Sequence, residues 1–121
     1  MTIVHGDTPL LANVRRLRDL LQAFGHPRTD EISHVIDIHD RDPDAFLRAI
    51  NSNRWWAGAG SLAAETMNDN PGLPEDLWVQ EVRALRELLI DIGEDLMARG
   101  GENPGISSWV LAFRNWNDSG V

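Results

Sequence analysis

Cysteine, lysine and tyrosine are all absent from the 121 residues. Without cysteine there is no disulfide, no thiolate zinc site, no iron–sulfur ligation and no cysteine nucleophile. Without lysine there is no Schiff-base chemistry and no P-loop lysine. A lysine-free chain also suits a GC-rich bacterial genome, and a bacterial source is the expectation. No apolar run approaches the roughly 18 residues of a transmembrane helix, so a membrane is not expected as a partner. The first seven residues lack a basic stretch followed by an apolar one. No secretory signal is therefore expected there, and the cytoplasm is the expected location. The length also falls well short of the roughly 250 residues of a TIM barrel.

Positive charge is scarce. All 11 basic residues are Arg, against 19 acids, for a net charge of −8. The imbalance is uneven: residues 1–54 carry net −1, whereas residues 55–121 carry net −7. Binding to a phosphate backbone draws on clustered Lys and Arg, so nucleic acid is not an expected partner. An acidic surface keeps a chain soluble and also attracts basic proteins.

Apolar residues make up 42 % of the chain. Leu, Ile, Val and Phe alone supply about a quarter, above the roughly 20 % below which a charged chain stays disordered. One domain over residues 1–121 with one packed core is the expectation.

The apolar spacing is helical almost throughout. Thr8-Pro9 pairs an N-cap with a first-turn Pro, and Leu10, Leu11, Val14, Leu17, Leu20, Leu21 and Phe24 then recur along one face. Gly25 and Pro27 stop this helix. Thr29 or Asp30 is placed to cap a second helix holding Ile32, Val35, Ile36 and Ile38, although the β-branched run also fits a strand. Asp42-Pro43 opens a third, with Phe46, Leu47 and Ile50 on one side. Residues 51–60 read as a loop. Ser61 is placed to cap a short helix to about Asn68, followed by turn residues 68–74. The strongest pattern runs from Pro74 to Arg99, with Trp78, Val82, Leu85, Leu89, Ile92 and Leu96 on one face and Gly100-Gly101 beyond. Residues 106–116 fit a helix through Ile106, Trp109, Val110, Phe113 and Trp116, and fit a strand less well, since a lone strand has no partner. The expected fold is all-α: a compact irregular bundle of about five or six helices around the long helix near 74–99.

Few motifs point to chemistry. Gly58-Ala-Gly60-Ser61-Leu-Ala63 matches a dinucleotide fingerprint in letters, but Asn51-Ser-Asn-Arg-Trp-Trp before it is no hydrophobic strand. Gly58 and Gly60 instead suit a tight turn that allows positive φ or close approach. The same turn could hold a small anion at exposed N–H groups before Ser61, with Arg54 as a charged contact. Asp40-Arg-Asp42-Pro-Asp44 begins like a calcium loop, yet Ala45 stands where Gly is required and Asn51 where Glu is required. Glu31-Ile-Ser-His34 is a single E-x-x-H where a di-iron bundle needs two. No serine lies in G-x-S-x-G. No metal, cofactor or catalytic group is therefore expected.

Two features remain as candidate sites. On the long helix Glu87, Asp91, Glu94 and Asp95 fall at i, i+4, i+7 and i+8, away from Leu85, Leu89 and Ile92. Like charges one turn apart cost a helix about 0.2–0.5 kcal/mol per pair, so the face is either simply solvated or a docking surface for a basic partner. The other is Trp55-Trp56. Adjacent side chains on a helix point about 100° apart, so one indole can fill the core while the other faces a groove. Trp serves cores and interface hot spots alike.

Arg54-Trp-Trp-Ala-Gly-Ala-Gly-Ser-Leu62 resembles the W-x-G-x-G-S-L signature of a group of small, mainly helical bacterial proteins of unknown function. In that group an Asn or Asp follows within a few residues; here Ala63-Ala64 intervene and Glu65 is the first acid. The resemblance covers about ten residues. It implies a helical fold and a structural or binding role for the Trp–Gly turn, and no activity.

Three functional classes follow. One is a non-enzymatic protein-binding module, an adaptor or immunity-type protein using the acidic face. Another is a small-molecule or anion binder, or an enzyme, using Arg54, Trp55, Trp56, Gly58, Gly60 and Ser61. The third is a subunit of a homo-oligomer.

Overall fold

The computed structural model describes residues 9–23, 25–26, 28–58, 60–65 and 75–119. Among them every regular element is helical: α1 (Pro9–Ala23), α2 (Thr29–His39), α3 (Pro43–Ile50), α4 (Asn53–Trp56), α5 (Leu62–Glu65), α6 (Glu75–Arg99) and α7 (Gly105–Ser119). The Thr8 cap, Phe24, Pro27, the 68–74 turn and the Trp78 side chain lie outside the description.

Helix α1 buries Leu10, Leu11, Val14, Leu17 and Leu21, the stripe its spacing predicts. It ends in a Schellman turn. Gly25, at φ 67°, donates its N–H to the Gln22 carbonyl at 3.1 Å, and His26 donates to the Leu21 carbonyl at 2.9 Å.

In α2 the capping expectation needs correction. Arg28 is the N-cap, no side chain caps the helix, and Thr29 already lies in the first turn. The Thr29 hydroxyl donates backwards to the His26 carbonyl at 2.8 Å. The β-branched run is helical and not a strand, because Ile32 and Val35 sit three apart and bury together. Asp42 does cap α3, accepting from Ala45 N–H at 3.0 Å, and Pro43 stands at the helix start.

The segment expected as a loop contains α4. Ser52 accepts from the N–H groups of both Trp55 and Trp56, at 3.1 and 3.2 Å, closing one helical turn. Local propensity gives little sign of it, and burial of both indoles is what fixes the turn. Ser61 caps α5 as expected, accepting from Ala64 N–H at 3.1 Å.

Helix α6 buries Val82, Leu85, Leu89, Ile92 and Leu96, each side chain worth about 1.5–3 kcal/mol on removal from water. Helix α7 takes the helical alternative and buries Ile106, Val110, Phe113 and Asn117. α6 packs against both α1 and α7, α2 against α1 and α3, and α4 against α5 and α7. One apolar core joins all of them. No helix among the described residues is long and apolar enough to cross a membrane.

Candidate functional site

The Trp–Gly turn is built from α4, the bend at Gly58 and α5. Trp55 and Trp56 are 2 % and 0 % exposed. The expectation that one indole faces a groove is therefore corrected: both are interior, on the side of α4 packed against α5 and α7, while Asn53 and Arg54 face outward. The Trp56 indole N–H donates to the Ile50 carbonyl at 2.7 Å. Trp56 also reaches the helix junction beyond, where a side chain on Gly105 would collide with the Trp56 carbonyl oxygen.

Gly58 has φ 86°, the left-handed conformation that only glycine adopts freely. Gly60 does not share this role. Its φ lies outside the left-handed range and a Cβ there would meet nothing within 4 Å. Ser61 folds back on Gly58: its N–H and its hydroxyl donate to the Gly58 carbonyl at 3.1 and 2.8 Å.

The sequence reading did not identify the residues that close this turn. Arg28, at the start of α2, donates to the Arg54 carbonyl at 3.0 Å and to the Gly60 carbonyl. Glu31, one turn on, accepts from Arg54 Nε at 2.7 Å and lies 3.8 Å from the Arg28 guanidinium. The Arg54 side chain is 66 % exposed but is held by Glu31, so it does not stand as an isolated anion contact. Neither Arg28 nor Glu31 carries a local signal, since each is an ordinary polar residue near a helix start.

A second polar joint, also unforeseen, ties α4 to the α6–α7 connection. Asn103 donates its backbone N–H to Asn51 Oδ1 at 2.7 Å, and its Nδ2 to the Asn51 carbonyl at 3.1 Å and to Asn53 Oδ1 at 2.8 Å. Its Oδ1 accepts from Gly105 N–H at 2.9 Å at the first turn of α7. Asn51 Nδ2 completes the set with the Gly101 carbonyl at 3.1 Å.

Glu87, Asp91, Glu94 and Asp95 of α6 share a face but not a role. Asp95 accepts from Arg99 Nε at 2.7 Å, and Glu94 pairs with Arg114 of α7. Glu87 and Asp91 are exposed and have no cationic partner among the described residues. On α7, Leu111 is 62 % exposed and lies three residues before Arg114, hence on the same side of that helix.

Groups that could ligate a metal ion do not converge among the described residues. No three His, Asp or Glu side chains are placed to hold a metal ion. His34 is exposed, while His39 is buried edge-on to Phe46 with ring centroids 4.8 Å apart. Burial lowers the Arg86 guanidinium below its ordinary value, and the group lies 4.9 Å from the Trp116 ring. No family model matches the chain, and no curated protein and no solved structure matches it.

Proposed function

We propose that this chain is a non-enzymatic protein-binding module of the adaptor or immunity type, acting in the cytoplasm on a basic partner. The observation that carries this is the state of Glu87 and Asp91. They stand one helical turn apart, exposed, with no ion pair among the described residues; Arg83, one turn before Glu87, relieves only part of their charge. Their mutual repulsion is a cost to the isolated protein that a positively charged partner would remove. Glu94 and Asp95 flank them and are already balanced by Arg114 and Arg99. The exposed Leu111 lies beside Arg114 and supplies an apolar contact at the rim.

The alternative, a ligand held at the Trp–Gly turn, has less support. Both indoles are interior, Ser61 bonds to Gly58, and Arg54 bonds to Glu31.

The test is affinity capture from the source cells with the parent chain and with Glu87→Gln/Asp91→Asn. Support is a basic protein retained by the parent at low salt, released as salt rises, and not retained by the double variant. A partner held equally by both, with no salt dependence, would refute the reading.

A further inference from the structure

The ends of α3 and α6 line one cleft, and the end of α2 lines a second beside the start of α3; the basic last-turn residues are His39, Arg48 and Arg99. Between the ends of α3 and α6 lies a cleft of about 150 Å³, with Leu47 and Leu96 in its wall and Arg48 and Arg99 at its edge. A second cleft of about 130 Å³ shares Leu47 and Arg99 and reaches His39.

Helix ends explain why cations gather here, since each carries about −0.5 of an elementary charge. They do not absorb all of the positive charge. Arg48 is exposed and makes no hydrogen bond or ion pair among the described residues. Arg99 engages Asp95 through Nε alone, which leaves its terminal N–H groups for another acceptor. His39 is 9 % exposed, and its Nδ1 is enclosed without a hydrogen bond, the nearest acid being Asp40 Oδ1 at 3.5 Å.

We infer that this cleft binds a small organic carboxylate, with the carboxylate on Arg48 and Arg99 and an apolar body against Leu47 and Leu96. The cleft is open to solvent on one side, and its volume of about 150 Å³ admits one ring or a short branched chain. A single negative charge matches better than two, because the helix ends and Asp95 already offset part of the arginine charge. The site lies at the C-terminal end of α6 and stands independently of the acidic-face proposal.

The test is a titration of the full chain, followed by amide and arginine-side-chain NMR at fixed ionic strength. The probes are sodium benzoate, benzyl alcohol and inorganic phosphate. Benzoate is expected to give saturable shifts confined to residues 47–51 and 96–100 and the His39 ring. Benzyl alcohol and phosphate should each bind at least tenfold more weakly. Arg48→Gln or Arg99→Gln should weaken benzoate at least fivefold with the spectrum otherwise unchanged, and Arg48→Lys should recover part of that loss. Shifts that never saturate at tens of millimolar benzoate would overturn the inference. So would equal binding of benzyl alcohol or phosphate, or benzoate affinity unaltered in both glutamine variants.

Discussion

The indole N–H of Trp56 is bonded to the carbonyl oxygen of Ile50, the last residue of α3, at 2.7 Å in the interior. A helix leaves its final carbonyls without intrahelical donors, and this one has no access to water. Trp56→Phe keeps an aromatic ring there but removes the donor and some volume. The expected loss is about 1–3 kcal/mol, read from the urea midpoint with the slope unchanged.

The glycines on either side of this joint should respond oppositely to alanine. At Gly105 the added methyl meets the Trp56 carbonyl, which is backbone and cannot swing away. Gly105→Ala should cost about 1–3 kcal/mol or more, as overpacking does. Gly60→Ala meets open space at an ordinary φ and should be neutral or stabilising by up to about 1 kcal/mol, by restricting the unfolded chain. Thermal melts of the two variants side by side check the contrast.

Asn103→Asp preserves shape and the acceptor for Gly105 while replacing the Nδ2 donor with an oxygen. That oxygen then faces the Asn51 carbonyl and Asn53 Oδ1, both acceptors. The variant should lose about 2 kcal/mol, since two part-buried acceptors lose their donor at once and face a carboxylate oxygen instead. Hydrogen exchange should show the loss at the start of α7 before it shows in α1.

Glu87→Gln/Asp91→Asn should raise the stability of the isolated protein by about 0.2–0.5 kcal/mol at low salt. The gain should vanish at 1 M salt, where screening shortens the reach of exposed charges to about 3 Å. Paired urea titrations at the two salt levels measure it. A stability gain accompanied by loss of the basic partner would mark the face as one kept for binding.

Much of this architecture was legible in the sequence wherever burial is periodic. The Leu and Val spacing of α1 and the Leu85–Leu96 stripe of α6 depend on helical geometry alone, and each residue faces where its position requires. Asp42 and Ser61 were legible for a related reason: a cap acts on N–H groups two or three residues away. The short α4 was not, because its single turn is fixed by what covers Trp55 and Trp56. Arg28 and Asn103 were not either. The partners by which they close the two joints lie 26 to 52 residues away, outside any local window. The candidate site suffered most, since the same indoles that suggested a binding groove are its least accessible atoms.

The asparagine joint has a consequence for the order of assembly. It connects residues 50 to 52 positions apart, so it forms only after a loop of that size has closed. Closure entropy must be met before any of these bonds can form. Helices α1 and α2 touch across a short connection and can pair early. The seam between α4 and the start of α7 therefore fastens after α1 and α2 have paired, and a nascent chain released before Asn103 emerges would have Trp55 and Trp56 not yet covered by α7.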